Sequence, residues 1–266
     1  MRISLDGGPF VAKTPGSGGV MSVERAVDVL ELMANAQREV GLTELAALSG
    51  LPMPTVHRLV RTLVGRGYIR QLPSRRYALG APLIRLGERA RRSMAPWARP
   101  QLETLVENIG ETANMAILDG DMVVYVAQVP SQHSMRMFTE VGRRVPAHCS
   151  GVGKAVLSQL PEAEVRELVT RAGMPARTPR TITDPDVLAA ELTLVRARGW
   201  AEDDGEAELG VRCFAVAVPG TPEVTAISVS GPQARVTHDA AERIVPLLRR
   251  AAEELSDDPS EDASTA

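Results

Sequence analysis

The chain has 266 residues, enough for one large domain or two smaller ones. Its apolar fraction of 44% is ordinary for a globular protein, and no apolar run approaches the roughly 18 to 20 residues of a membrane span. A net charge of −3 excludes a uniformly basic surface, and two cysteines, Cys149 and Cys213, cannot build a disulfide framework and fit a reducing cytosol.

Residues 1–20 lack the apolar stretch of a signal peptide and read as a disordered lead-in. A DNA-binding unit is expected over 21–80. "SVERAVDVLELMANA" spaces Val23, Ala26, Val27, Leu30 and Met33 as one helical stripe, with Ser22 as N-cap. "LTELAALSGLP" reads as a short helix capped by Thr43 and stopped at Gly50. "MPTVHRLVRTLVGRG" is a third helix, apolar along Val56, Leu59, Val60, Leu63 and Val64. Two short strands around Pro73-Ser74 follow, in "YIRQLPSRRYALG".

Three helices and a hairpin, with a short glycine-bearing turn before the third helix, are the order of a winged helix-turn-helix. From Leu45 through Gly87 there is no Asp or Glu, while Arg58, Arg61, Arg66, Arg70, Arg75, Arg76 and Arg85 fall there. Such a block is an electrostatic footprint for phosphate and makes double-stranded DNA the expected partner. Thr55, His57, Arg58 and Arg61 would face the major groove, with Arg75 and Arg76 on the wing reaching phosphate or the minor groove.

A basic helix over 81–94, "PLIRLGERARRS", is expected to link this unit to a second one over 95–255, with Pro96 and Pro100 at the joint. Beyond Glu111 the period changes to two. Hairpins are predicted in "TANMAILDGDMVVYVAQV" and "RCFAVAVPGTPEVTAISVSGP", and another strand in "SMRMFTEVGRRVPA". Helices are predicted at Gly153 to Gln159, Glu162 to Ala172, Pro185 to Arg198 and His238 to Leu255, the last interrupted at Pro246. This mixture predicts an α+β domain around a mainly antiparallel sheet. Residues 256–266 read as a disordered acidic tail.

The motifs "SVERAVDVLELM", "GLTELAALSGLPMPTVHRLVRTLVGRGYI", "GRRVPAHCSGVGKAVLS", "RGWAEDDGEAELGVRCFAVAV" and "ISVSGP" resemble those of the IclR family of bacterial transcriptional regulators, in the family's order. The resemblance implies a winged helix joined by a linker helix to a GAF-like effector-binding domain, in a repressor acting as homodimer or homotetramer. "HCSGVGKA" and "AISVSGP" further resemble the allantoin-pathway repressors, which respond to glyoxylate or its relatives. Family motifs imply effector contacts at Ser150, Gly151, Val152 and Gly153, at Asp203 and Cys213, and at Ser228 and Ser230.

The residues themselves fit a small anion better than a nucleotide. "HCSGVGKAV" lacks the first glycine and the final hydroxyl of a Walker loop. Gly151 and Gly153 open a helix whose unpaired N–H groups favour negative charge. Ser228 and Ser230 share one strand face, Cys213 lies on the preceding strand, and Asp203 suits a donor on the ligand. A two- or three-carbon carboxylate is therefore expected, with an aromatic acid or another small signal as the alternative. Plainer readings make the cysteines small buried hydrophobes, "EDDGE" an exposed acidic turn, and Lys154 a solvent-facing cation. A remote alternative is an enzyme using Cys149 or Cys213 with His148 or His238. Neither a catalytic residue, a metal nor a cofactor is expected, and no membrane partner.

Overall fold

The structure, a computed structural model, describes residues 19–36, 38–94, 96–136 and 140–256. The two tails expected to be disordered lie outside these residues, except for Gly19, Val20 and Ser256. The chain separates into two compact units, Met1–Ala90 and Arg91–Ala266.

In the first unit α1 (Met21–Ala36), α2 (Leu42–Ser49) and α3 (Met53–Gly65) precede a hairpin of β1 (Ile69–Gln71) and β2 (Tyr77–Leu79). Val56, Val60 and Leu63 recur at helical spacing along α3 and pack with Val29 and Met33 of α1, Leu45 of α2, and Ile69 and Tyr77 of the hairpin. Gly50 ends α2 at φ 65°, a left-handed geometry that a side chain would strain. The expected caps differ from those observed. Ser22 lies inside α1, and Gly41 precedes α2, which puts Thr43 in its first turn. Reciprocal hydrogen bonds between Val40 and Tyr77, of 2.9 and 2.8 Å, add a third backbone segment to the wing. Gly80 then approaches the α3–β1 turn so closely that a Cβ would stand 1.8 Å from the Gly67 carbonyl oxygen. α4 (Pro82–Met94) follows, and the division between the two units falls within it.

The second unit runs α5 (Arg99–Ile109), β3 (Thr112–Asp119), β4 (Met122–Val129), β5 (Arg144–Pro146), α6 (Gly151–Leu157), α7 (Glu162–Ala172), α8 (Pro185–Arg198), β6 (Ala201–Asp204), β7 (Val211–Val218), β8 (Thr225–Pro232) and α9 (Ala241–Ser256). One antiparallel sheet has the order β5-β4-β3-β8-β7-β6. Both hairpins form where the period of two predicts them. Three elements depart from expectation. β5 is only three residues long, with part of the expected segment, Met137 to Thr139, outside the described residues. β6 occupies the acidic stretch that reads as a turn. Pro246 sits inside α9 without ending it.

The two sheet faces differ in side-chain size, and this difference positions the site. Met115, Phe214, Val216, Ile227 and Val229 meet α5 and α9 on one face. The other presents Ala116, Ala215 and Ala226 to α6, with α7 and α8 packed in the same core. Small residues let a helix lie close to a sheet, and here that helix begins with two glycines.

Gly80→Ala is expected to destabilise the first unit by roughly 2–4 kcal/mol, because the obstructing atom is backbone and cannot rotate away. In calorimetry of the full chain, the transition of that unit should fall by about 10 °C or more, leaving that of the second unit in place.

Candidate functional site

On α3, His57, Arg58 and Arg61 are exposed and Thr55 is half-buried in the first turn. Neither the Arg58 nor the Arg61 guanidinium has a side-chain partner among the described residues, so both are available to phosphate or a guanine edge. Arg75 is exposed at the wing tip and has φ 62°, the one non-glycine residue with positive φ among those described. Arg76, expected beside it as a DNA contact, is engaged within the protein. Its guanidinium donates to the Glu39 carbonyl (2.6 and 3.2 Å) and to Glu44 Oε2 (2.9 Å). Arg38 also binds Glu44, and together these cations hold its carboxyl down at about 2. Arg76 therefore fastens the wing to the start of α2.

In the second unit the strand register brings together residues scattered through the sequence. Asp203, Cys213, Ser230 and Thr112 form one row across β6, β7, β8 and β3. The next row holds Ala201, Ala215, Ser228 and Asn114. Directly paired residues point to one side of a sheet, so all of these face α6. Gly151 lies against Cys213, where a Cβ would stand 2.7 Å from Sγ. At Gly153 a Cβ would stand 2.2 Å from the Ala147 carbonyl oxygen. Close packing accounts for both glycines.

The opening of α6 differs from the expected anion cradle. Ser150 is the N-cap: its Oγ accepts from the Gly153 N–H at 3.2 Å and donates to the Pro146 carbonyl at 3.2 Å. The Gly153 N–H is thus satisfied within the helix. Val152 is fully buried in the apolar core on this face.

The acidic stretch is buried, not exposed. Asp203 Oδ1 accepts from the N–H groups of Glu206 (2.7 Å) and Ala207 (3.3 Å). Burial, reinforced by the charge of Glu206, pushes the Asp203 carboxyl up to about 7. Lys154, expected in solvent, is 1% exposed, with Nζ 2.5 Å from Glu206 Oε1 and 3.6 Å from Glu191 Oε1. Its four-carbon stem crosses the core and delivers the ammonium to Glu206. Outside this pair, the hydroxyls of Thr178 and Thr181 donate to the carbonyls of Gly205 and Glu206, each at 2.7 Å.

The thiol–imidazole alternative is not assembled. Burial pushes both thiols up to about 12 and lowers the His148 imidazole. The His148 Nε2–H donates to the Pro175 carbonyl at 3.2 Å. His238 binds Glu202, the neighbour of Asp203 and so on the opposite sheet face.

Two site residues escape sequence reasoning. Asn114 is a polar residue in an apolar run, pointed at the site by its register with Ser228. Tyr125 reaches the same face because β3 and β4 shift register between Met115 and Ala116, leaving Val126 unpaired. Without that bulge, alternation would send Tyr125 toward α5. Burial, with Cys213, Asp203 and Cys149 nearby, raises its phenol above the ordinary range.

Comparison with known proteins agrees with this architecture. Residues 90–257 match the family described as bacterial transcriptional regulator IclR C-terminal, and residues 22–73 match the IclR helix-turn-helix domain. The chain belongs to the IclR family of DNA-binding transcriptional regulators. It is 38% identical over 255 residues to the transcriptional repressor IclR of Escherichia coli (strain K12), covering 93% of each chain. It is 36% identical over 255 residues, again 93% of each, to the acetate operon repressor of Salmonella typhimurium. The crystal structure of an IclR transcriptional regulator from Alicyclobacillus acidocaldarius superposes with TM-score 0.76 at 30% identity, covering 90% of this chain and 98% of that one. An IclR homolog from Microbacterium hydrocarbonoxydans complexed with 4-hydroxybenzoate gives 0.70 at 27% identity, covering 88% and 97%. These relatives are regulators, not enzymes.

Asp203 also makes the second unit sensitive to pH. Its folded value of about 7 exceeds the usual 3.8, so between these limits the folded chain keeps a proton that the unfolded chain has released. Its contribution to stability is full below about pH 4 and declines as pH rises toward 7. Asp203→Asn keeps the Oδ1 acceptor and removes the ionisation. Thermal melts from pH 5 to 8 should show that variant losing less stability than the parent, by several degrees at pH 8.

Proposed function

We propose that this regulator is a repressor working in the cytoplasm as a homodimer or homotetramer. It would read double-stranded operator DNA through Thr55, His57, Arg58 and Arg61 of α3, with Arg75 on the wing. A small carboxylate such as glyoxylate or an allantoin-pathway metabolite would modulate that binding from the second unit. The observation that carries the effector reading is the buried row of Asp203, Cys213 and Ser230, with Ser228 beside it, under the glycine start of α6. Polar groups at the centre of a domain are costly unless paired, so their convergence on one spot is the mark of a ligand site.

The chemistry favours a short acid. The lining is alanine, serine, cysteine and asparagine, and Gly151 already touches Cys213, so a compact ligand fits best. Asp203, held near neutrality, would offer a proton to a ligand oxygen or accept one from a hydroxyl or hydrate. The name of the acetate operon repressor supports a connection with two-carbon metabolism, and "HCSGVGKA" and "AISVSGP" support glyoxylate. The 4-hydroxybenzoate complex of a relative favours a second reading, an aromatic acid stacked near Tyr125. A ligand shifts DNA affinity only by the ratio of its affinities for the two regulator states.

Arg58→Ala with Arg61→Ala should weaken operator binding about 10- to 100-fold and flatten its dependence on salt, since two phosphate or base contacts are lost. Mobility shifts at several salt concentrations measure both effects, and unchanged affinity would remove α3 from the interface. For the effector, a thermal-shift screen of glyoxylate, glycolate, pyruvate, allantoate and 4-hydroxybenzoate should show a selective rise for the short acids, accompanied by changed operator binding. Selectivity for 4-hydroxybenzoate would favour the aromatic reading, and no response to any of the five acids would refute the small-acid site.

A further inference from the structure

We infer that Asn114 is a recognition residue of the effector site, donating through Nδ2 to one carboxylate oxygen of the ligand while Ser228 Oγ donates to the other. The inference rests on the effector reading above and fixes which way round the ligand lies.

Asn114 is wholly buried in the centre of β3. Its Oδ1 accepts from Gln128 Nε2 at 2.9 Å, which orients the amide and directs the NH2 group away from Gln128. That Nδ2 has no hydrogen-bond partner among the described residues. Directly opposite in the β3–β8 register stands Ser228, also wholly buried, whose Oγ has no oxygen or nitrogen partner among the described residues and only the weakly accepting Cys213 thiol beside it. Buried side-chain donors are nearly always paired, and two unpaired ones on facing residues are a rare arrangement. Both can donate, and cross-strand neighbours have Cβ atoms about 5 Å apart, so the two can receive the two oxygens of one carboxylate.

The strand order then sets the ligand's polarity. Cys213 lies one strand beyond Ser228 and Asp203 two strands beyond, roughly 5 and 10 Å across the sheet. A carboxylate at Asn114 and Ser228 is therefore held at the end of the site away from Asp203, whose ionised form would repel it. The ligand's carbonyl, hydrate or hydroxyl end points toward Cys213 and Asp203, where an oxygen that gives or takes a proton is matched. The buried cation Lys154 is neutralised by Glu206 and is not needed for the charge. Neutral donors do the work, as they do for many buried anions.

Asn114→Leu keeps the branching and approximate volume of the side chain and removes the amide. Glyoxylate, glycolate and pyruvate would be titrated into the full-length parent and variant by calorimetry, with glycolaldehyde as the neutral counterpart of glyoxylate. Asn114→Leu should bind the acids about 10- to 100-fold more weakly and lose most of the preference for glyoxylate over glycolaldehyde, because the lost bond is one to a charged group. Without ligand it should melt at about the temperature of the parent, since shedding an unpaired buried donor offsets the loss of the acceptor for the half-buried Gln128 amide. A purely structural asparagine would instead give a lower melting temperature. Should Asn114→Leu fail to fold, the isosteric Asn114→Asp carries the test: it too must lose acid binding. Parent and variant binding the acids equally would overturn the role of Asn114 while leaving the effector site standing. A parent that binds none of the three acids would refute the effector reading, and this inference with it.

Discussion

The contact of Gly151 with the Cys213 sulfur is the constraint on which the second unit depends. It exists because β7 and β8 place their bulky side chains on one face and their small ones on the other. Phe214, Val216, Ile227 and Val229 build a thick core against α5 and α9, and the alternate residues are small enough for α6 to lie almost on the backbone. The site is formed in the same step, because the residues that keep the face shallow are also its polar groups. Cys213, Ser228 and Ser230 are at once spacers and recognition groups. A substitution toward bulk at any of them would lift α6, and one toward pure hydrocarbon would erase the chemistry.

Charge is handled with equal economy around Asp203. Lys154, Glu206, Glu191 and Arg198 form a connected set of ion pairs at the edge of the sheet, with the deepest pair, Lys154 and Glu206, almost free of solvent contact. Such a pair adds little net stability compared with hydrocarbon, but removing one member would strand the other. Its effect lies in geometry: Glu206 is anchored through its carboxylate by Lys154, through its carbonyl by Thr178 and Thr181, and through its N–H by Asp203. Asp203 thus has a fixed orientation, and its proton affinity is set by burial and by Glu206.

Most of this architecture is legible in the sequence. The stripe on α3, the wing, both long hairpins and the helices α7 and α8 follow from periodicity and turn residues alone, and the shared face of Ser228 and Ser230 follows from alternation. β6 is not legible, because "AEDD" carries no apolar alternation and is buried in part by α6, which is distant in sequence. The burial of Lys154 is hidden for the same reason: a lysine's destination depends on whether a carboxylate waits inside, which composition does not state. The partners of Arg76 are hidden for a like reason: the acid-free block begins just after Glu44, and tertiary folding brings Glu39 and Glu44 back to it.

Val126, the unpaired residue of β4, acts as a phase shifter between two cores. On its C-terminal side Ala127 and Gln128 keep the alternation of β3, and on its N-terminal side Tyr125 and Val123 are turned by one residue. Deletion of Tyr125 itself would close the bulge with Val126 opposite Ala116, putting a valine at the site wall while leaving every hydrophobic residue of β3, β7 and β8 in place. Ligand range in this scaffold can therefore drift by a change in the length of one strand, with neither the composition of the pocket motifs nor the DNA-reading helix altered.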